Sequence, residues 1–339
     1  MNWSEQRAAV IGGSGFLGKY LVEQLLALGC LRITSFSRRG DAELESRGVT
    51  VCRGDLRDAA AVSKACAEAT VVFHTAAKAG VWGRFQDYYD INVTGTANVL
   101  HACRKHGIRH LIYTSSPSVA YPPTMDIAGA DESLPYPDKY LAHYPATKAM
   151  AEQQALAFDC PELGVVALRP HLIWGPRDPH LLPRVIRAAQ TGKLAIVGNG
   201  HNLVDLTYVA NAAAGHIQAA EYLFSRPGCR GRYFISDGAP VNLWDWNNAL
   251  LQRLGLPPAT RRISYCKAYM AGAAMEGIFR LLPSRFEPPI TRFVAGQLAF
   301  SHYFNIGAAQ RDFGYHPVVS AEDALDKTVA WLAKEVIGG

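Results

Sequence analysis

The sequence has no hydrophobic run long enough to cross a bilayer, no cluster of basic residues and no CxxC pair. Its seven cysteines are an odd number, which argues for a reducing cytoplasm rather than for a disulfide scaffold. The net charge of +5 comes without a basic run or tail, which argues against nucleic acid as a partner. The first residues lack the basic and apolar segments of a signal peptide. These absences predict a cytoplasmic globular protein that acts on a small molecule.

A glycine-rich stretch near the N-terminus is the most informative motif. The apolar residues 8–11 predict a strand, residues 19–28 predict a helix, and Gly12, Gly15 and Gly18 lie between them. Such glycines permit a tight turn and a close approach of the backbone to a pyrophosphate, and the helix N-terminus offers free N–H groups. Glycine-rich turns also occur without a ligand, but the order of strand, glycines and helix favours a dinucleotide site.

The end of the second predicted strand, residues 32–37, indicates which cofactor binds. An acidic residue at this position binds the ribose 2′-hydroxyl of NAD, whereas an arginine accommodates the 2′-phosphate of NADP. The segment ends in Ser37, Arg38 and Arg39, with no acid at its tip. A solvated basic turn is the alternative, but arginine is well suited to pair with phosphate. We therefore expect NADP(H) as the cofactor.

Short apolar segments alternate with helical ones through the first half of the chain. Residues 49–53, 71–74 and 111–114 predict further strands, and residues 87–106 predict a helix. This alternation predicts an α/β protein built on a Rossmann-type, doubly wound parallel sheet.

The chain is long enough for about two domains. We assign residues 1–170 to the dinucleotide-binding domain, including the predicted catalytic residues. Residues 171–339 are assigned mainly to a smaller, mixed substrate-binding region, with a return to the first domain around 203–237.

Three histidines, His101, His106 and His110, lie close together in the sequence. Their spacing does not place all three on one helical face, so we expect the end of a surface helix at this point. No metal site is predicted.

Tyr144 and Lys148 are four residues apart, so on a helix they share one face. Pro145 suits the first turn of that helix. An ammonium close to a phenol favours the phenolate, so we expect Lys148 to lower the pKa of Tyr144. This spacing is common on surface helices, but here it follows a strand that ends in Ser115 and Ser116, at the sheet edge where ligands bind.

On these residues the chain resembles the extended short-chain dehydrogenase/reductase family. The match covers most of the chain and extends to residues 54–56, Asn92, 169–170 and 175–176. Within the family the chain resembles the 3β-hydroxysteroid dehydrogenase branch, which includes bacterial reductases of 2-alkyl-3-oxoalkanoates. That narrower resemblance rests on the segments 78–83 and 287–293.

The resemblance implies roles for particular residues. Ser116 would be the catalytic serine and Tyr144 the general acid or base, while Lys148 would hold the nicotinamide ribose. The expected cofactor contacts are Gly12, Ser14, Gly15, Phe16, Leu17, Gly18, Ser37, Arg38, Arg39, Asp55, Leu56, Thr75, Ala76, Ala77, Lys78, Asn92, Thr114, Tyr144, Lys148, Pro170, His171 and Ile173.

Departures from the family pattern help to choose a substrate. Sugar-nucleotide members usually have Phe-Asn after the arginine of the sixth strand and an arginine before a later Asp-Phe motif. This chain has Pro170-His171 and Val204 at those positions, so a sugar diphosphate would lose two polar contacts. A sugar-nucleotide epimerase or dehydratase is the first alternative function, and these two departures argue against it. A non-catalytic NADP-sensing protein is the second, but it would not need Tyr144 and Lys148.

Residues 267–282 form a helix-length apolar stretch that is interrupted by Glu276 and Arg280 and ended by Pro283. It is too short and too charged to span a bilayer. An ordinary packed helix, an apolar substrate lid and a membrane-surface face are all compatible with it. The sequence also allows a homodimer and a peripheral membrane contact.

These observations predict an NADP-dependent oxidoreductase that interconverts a ketone and a secondary alcohol. We expect Trp174 and the apolar residues of 267–282 to lie near the mouth of the cleft, which favours a largely apolar substrate. The candidates are a 3-oxoacyl compound, a 2-alkyl-3-oxoalkanoate and a 3-oxo steroid.

Overall fold

The computed structural model describes residues 1–281 and 287–337. The strands are β1 (Arg7–Ile11), β2 (Arg32–Ser37), β3 (Thr50–Arg53), β4 (Val71–His74), β5 (His110–Thr114), β6 (Ile127–Ala130), β7 (Gly164–Pro170), β8 (Ile173–Trp174), β9 (Ile196–Val197), β10 (Leu203–Val204), β11 (Thr207–Tyr208), β12 (Arg230–Ile235), β13 (Val241–Asn242), β14 (Arg262–Ile263) and β15 (His302–Phe304). The helices are α1 (Phe16–Ala27), α2 (Ala42–Ser46), α3 (Ala59–Cys66), α4 (Phe85–Tyr89), α5 (Gly95–Lys105), α6 (His143–Leu156), α7 (Leu181–Gln190), α8 (Val209–Ser225), α9 (Leu243–Arg253), α10 (Tyr265–Phe279), α11 (Arg292–Ala299), α12 (Gly307–Phe313) and α13 (Ala321–Leu332). Short 3₁₀ helices lie at Trp3–Glu5 and Pro117–Val119, and π-helical turns lie at Asp90–Thr94 and Ala333–Ile337.

The largest sheet has seven strands in the order β3-β2-β1-β4-β5-β7-β12, and every neighbouring pair is parallel. This arrangement confirms the predicted doubly wound sheet. The direction of the strand order reverses between β1 and β4, where Ile11 pairs with His74. In open parallel sheets ligands bind beyond the carboxyl ends of the strands at this switch point.

Both faces of the sheet are covered, which explains why the central strands are continuous apolar runs. Along β1, Val10 packs into a core with residues of α1 and α8, while Ile11 packs into a second core with residues of α3 and α5. Neighbouring side chains of a strand point to opposite faces, so one short strand contributes to both cores. The sheet is therefore rigid behind the edge that carries the loops.

Two predicted helices differ from the observed ones in their bounds. The first begins at Phe16 rather than at residue 19, because Gly15 has extended backbone angles and acts as the N-cap. The predicted helix 87–106 spans Phe85 to Lys105, with a π-helical turn at Asp90–Thr94. Such turns insert an extra residue and often occur at functional sites.

The C-terminal half adds smaller sheets. A four-stranded sheet in the order β13-β10-β15-β6 contains an antiparallel pair beside parallel ones, as expected for a mixed region. Two separate two-stranded sheets pair β8 with β11 and β9 with β14, and both pairs are parallel. Within residues 1–281 and 287–337, no helix is long and apolar enough to cross a membrane.

The apolar stretch 267–282 corresponds to α10, and its residue 282 lies outside the described residues. Only Ala268, Gly272 and Glu276 of this helix are buried, at intervals of four residues. A Cβ at position 272 would lie 2.7 Å from the backbone nitrogen of Arg292, so the absence of a side chain allows α10 to contact the start of α11. The helix is therefore held by a narrow stripe, and Met270 on its outer face is exposed.

Candidate active site

The glycine-rich loop joins β1 to α1 at the switch point. Gly12 has φ of +102°, and a Cβ at this position would lie 2.7 Å from the backbone nitrogen of Ala76. A Cβ on Gly18 would lie 2.1 Å from the carbonyl oxygen of Gly12, so helix and loop meet only because Gly18 lacks a side chain. No side chain caps the N-terminus of α1 at Gly15. The loop therefore has the form of an anion cradle, which fits a pyrophosphate.

The tip of β2 lies beside this loop. The Ser14 hydroxyl donates a hydrogen bond of 2.6 Å to Ser37 Oγ, which links the loop to the strand end. Arg38 and Arg39 follow directly and are exposed. The Arg57 guanidinium lowers the pKa of Asp55 to about 2, and the charge of Arg38 adds to this effect. Basic side chains thus surround the position where an adenosine ribose would lie.

The loop after β4 is joined to α6 by Asn92. Its Oδ1 accepts a hydrogen bond of 2.7 Å from the backbone N–H of Lys78, and its Nδ2 donates to Thr147 Oγ1 at 3.0 Å. Because Asn92 lies in the π-helical turn, that turn aims its amide at both segments. Asn92 therefore positions the loop relative to α6.

The remaining predicted contacts line the same edge. The Thr75 hydroxyl donates to the carbonyl of Ile11, and Leu56 packs against Gly95. The other predicted residues at this edge occupy loop, helix-start or strand-end positions: Phe16, Leu17, Ala76, Ala77, Pro170 and Ile173. Residues far apart in the chain thus meet beyond the carboxyl ends of β1, β4, β5 and β7.

Tyr144 lies in the first turn of α6 and is half-buried. Burial raises the pKa of its phenol, and the nearby Ser116 hydroxyl acts in the opposite direction through a hydrogen bond. Ser116 itself caps the 3₁₀ helix Pro117–Val119 and lies 2.9 Å from Ser118 Oγ. A phenol and a hydroxyl placed together in this way can bind and protonate one carbonyl oxygen.

Lys148 is buried one turn further along α6. Its Nζ donates to the Tyr113 hydroxyl at 2.7 Å and to the Thr114 carbonyl at 2.6 Å. Desolvation lowers the pKa of Lys148 to about 7, although the charge of Glu152 raises it. The expectation that Lys148 lowers the pKa of Tyr144 is wrong for this structure, because burial dominates and the pKa of Tyr144 is raised.

A buried ion pair lies behind Lys148 and was not foreseen from the sequence. Arg169 Nε donates to Glu152 Oε2 at 2.9 Å, and the Tyr136 hydroxyl donates to Glu152 Oε1 at 2.6 Å. Burial alone would raise the pKa of Glu152, but the hydrogen bonds and charge of Arg169 outweigh it and hold the pKa below its ordinary value. The spacing of Tyr144, Lys148 and Glu152, four residues each, could have indicated this group.

The segment after β7 carries a buried histidine pair. His171 Nε2 and His302 Nδ1 are 2.6 Å apart, and His302 Nε2 lies 2.8 Å from the carbonyl of Gln297. Desolvation lowers the pKa of both imidazoles. Leu172 follows with φ of +42°, a conformation that side chains rarely adopt. His171 therefore joins the main sheet to the smaller one.

The structure places Trp174 elsewhere than predicted and keeps the three neighbouring histidines apart, as their spacing predicts. Trp174 is not at the cleft mouth: it is buried against Tyr208 and Trp246, because β8 pairs with β11 beneath the surface. The three neighbouring histidines have separate partners. His101 contacts Arg104, His106 contacts Ser63 and His110 stacks near Phe224.

A cavity of about 370 Å³ lies at the start of α6, next to Tyr144 in the sequence. Leu141, Ala142 and His143 form one wall, and residues 81–84 continue the loop that follows β4. Side chains of α10 and Arg292 close the opposite side. The cavity is thus shared between the predicted cofactor edge and the C-terminal region.

Comparison with known proteins agrees with this arrangement. Residues 9–264 match the 3-beta hydroxysteroid dehydrogenase/isomerase family. The chain is 46% identical over 324 residues to 2-alkyl-3-oxoalkanoate reductase of Stenotrophomonas maltophilia, covering 95% of this chain and 98% of the relative. It is 35% identical over 330 residues to the decarboxylating sterol-4-alpha-carboxylate 3-dehydrogenase of Bos taurus, covering 96% and 92%. The crystal structure of gox2253 shares the fold, with a TM-score of 0.79 at 24% identity over 98% of this chain and 99% of that one.

Proposed function

Because the chain belongs to the 3-beta hydroxysteroid dehydrogenase/isomerase family, we propose that it reduces the ketone of a 2-alkyl-3-oxoalkanoate or a closely related 3-oxo acid with NADPH. Membership makes the protein an oxidoreductase that interconverts a ketone and an alcohol with NAD(P). The choice of NADP and the roles of individual residues are parts of the proposal. A steroid-like ketone is the other apolar substrate that the relatives suggest.

The reaction needs a hydride, a proton and a fixed carbonyl. When bound, the cofactor supplies the hydride to the carbonyl carbon. Tyr144 donates the proton to the carbonyl oxygen, and the Ser116 hydroxyl hydrogen-bonds the same oxygen. Lys148, whose amine donates to the Tyr113 hydroxyl and the Thr114 carbonyl, would hold the nicotinamide ribose.

The observation that carries this proposal is the proximity of Ser116 to Tyr144 at the carboxyl edge of the sheet. The two residues come from different elements, the segment after β5 and the first turn of α6. The Tyr144 phenol carries its proton near neutral pH, as a proton donor in the reductive direction must.

We expect NADPH to bind more tightly than NADH, and we expect Arg38→Asp to reverse this order. Arg38 stands at the tip of β2 without an ion-pair partner among the described residues, so its guanidinium is available for a 2′-phosphate. A charge-assisted hydrogen bond contributes about 1.5–3 kcal/mol, which corresponds to roughly tenfold to a hundredfold in affinity. Fluorescence titration of both cofactors measures the ratio.

Arg32→Asp is the matched control for the cofactor measurement. Arg32 is also exposed, but it lies at the opposite end of β2, where it donates to the Glu5 carbonyl. This variant makes the same change of charge and should keep the preference for NADPH. Equal affinities of the parent protein for the two cofactors would contradict the assignment of NADP.

The specificity constant should rise with the length of the apolar tail of a 3-oxo acid. Each buried CH₂ contributes about 0.8 kcal/mol, so kcat/KM should increase several-fold for every two carbons until the cavity is full. NADPH consumption with a chain-length series measures this, beside a 3-oxo steroid and a UDP-sugar. A response independent of length, or turnover with the UDP-sugar alone, would show that the substrate class is wrong.

A further inference from the structure

The cavity at the start of α6 combines apolar walls with an excess of positive charge. Trp82, Leu141 and Phe279 supply aromatic and aliphatic surface. Arg84, Arg280 and Arg292 line the same cavity, whereas Glu276 is its only acidic lining residue within the described parts of the chain. Apolar walls with three guanidinium groups suit a substrate that has both a hydrocarbon body and an anionic group.

One of the three arginines is already neutralised. Arg292 Nη2 lies 2.7 Å from Glu276 Oε2, and Glu276 Oε1 accepts the backbone N–H of Arg292 at 2.8 Å. This pair joins α10 to α11 and leaves little charge for a ligand. The neighbouring Glu287 is held by Arg184 at 2.9 Å, on the outside of the cavity.

Arg84 and Arg280 make no ion pair with any residue of the described ranges. Desolvation lowers the pKa of His143, and the positive charge of Arg280 lowers it further. His143 directly precedes Tyr144 in α6. Arg280 is therefore an uncompensated cation on the side of the cavity that contains His143, at the point where α10 ends.

We infer that Arg280, together with Arg84, binds a carboxylate of the substrate and so makes the enzyme selective for 3-oxo acids over their esters. This inference rests on the proposed function and adds to it the residues that recognise the acid. Guanidinium groups pair with carboxylates through two parallel hydrogen bonds. In a 3-oxo acid the carboxylate is two bonds from the reacting carbon, so both groups must be held within one small cavity.

The names of the relatives are consistent with this chemistry. One is named for a 3-oxoalkanoate and the other is a 3-dehydrogenase named for a sterol carboxylate, so both compounds combine an apolar body, a reacting group at carbon 3 and an acid group. The sugar-nucleotide alternative would also bring negative charge, but its diphosphate would bind alongside a polar sugar. The apolar side chains Trp82, Leu141 and Phe279 favour the lipid acid.

The test compares a long-chain 3-hydroxy acid with its methyl ester as ligands of the NADP⁺-bound protein, by calorimetry, and the matching 3-oxo acid and ester as substrates. The parent protein should bind the acid about tenfold more tightly than the ester. Arg280→Gln should remove most of this preference by weakening the acid alone, and Arg280→Lys should restore part of it. Arg84→Gln should have a smaller effect in the same direction.

The controls separate this inference from the proposed function. Arg184→Gln removes another exposed arginine of the same region, whose partner is Glu287, and should leave the ratio of acid to ester unchanged. Equal weakening of acid and ester in Arg280→Gln, or no change in either, would overturn the carboxylate site. Selective binding of the acid by a protein that reduces neither 3-oxo compound would overturn the proposed function and leave the carboxylate site standing.

Discussion

Replacing Tyr144 by phenylalanine is expected to lower turnover by about 10² to 10⁴ while NADPH binding stays nearly unchanged. The ring remains in place, but the proton that must reach the carbonyl oxygen is gone, while Ser116 keeps its contact with Ser118. The loss corresponds to about 3–5 kcal/mol in the barrier. Steady-state turnover with a 3-oxo substrate and a separate titration with NADPH give the two quantities.

Tyr140→Phe is the matched control for this experiment. Tyr140 is four residues earlier and also half-buried, and its hydroxyl donates to the Val119 carbonyl at 2.7 Å. Its removal deletes one structural hydrogen bond and should leave turnover close to that of the parent. If Tyr144→Phe behaved like Tyr140→Phe, another group would have to supply the proton.

Arg169→Met is expected to lower the free energy of unfolding by about 3–5 kcal/mol. Both partners of its ion pair with Glu152 are inaccessible to solvent, so the substitution leaves a buried carboxylate without its cation. The double variant Glu152→Leu with Arg169→Met should recover much of the loss, because it removes both charges. Urea denaturation followed by circular dichroism measures the difference.

The matched control is Arg253→Met, which breaks an ion pair with Asp326 at the surface. Exposed pairs contribute at most about 1 kcal/mol, so this variant should remain close to the parent. A loss in Arg169→Met no larger than that in Arg253→Met would mean that the buried pair does not stabilise the fold.

The effect of Arg169→Met should depend on pH in a defined direction. In the parent the pKa of Glu152 is held below its ordinary value, so the pair stabilises the protein above that value and less as pH falls through the lowered pKa. In the variant burial is opposed by the Tyr136 hydrogen bond but no longer by the charge of Arg169, so the pKa of Glu152 rises and the protonated acid is favoured. The difference between parent and variant should therefore be largest near neutral pH and shrink under acidic conditions.

Local patterns in the sequence predict the sheet well. Apolar runs of four to seven residues, such as β4 and β7, are buried on both faces and could be assigned without tertiary information. The glycines at positions 12 and 18 predict a close approach of the backbone, which the structure confirms. Helix bounds are predicted less well, because capping by Gly15 and the π-helical turn depend on backbone geometry that the apolar period does not reveal.

The predicted site residues divide in the same way. Tyr144 and Lys148 are related by helical spacing alone, and Ser116 is related to them by its place at the end of a strand. The direction of the pKa of Tyr144 could not be read from that spacing, because burial raises it and the Lys148 amine donates to Tyr113 and Thr114. Trp174 was placed wrongly because an aromatic residue in a loop-rich region says nothing about which face it occupies.

The sequence by itself determined the class of fold, the glycine-rich loop and the helical pairing of Tyr144 with Lys148, because each depends on neighbours within a few residues. Only the tertiary structure decided which charges line the cavity. Arg84, His143 and Arg280 come from three distant segments, and they line one cavity only after α10 has packed on α11. The same holds for Glu152 and Arg169, whose attraction is strong because folding removes water from both. Desolvation and long-range packing are properties of the assembled chain, and no local pattern encodes them.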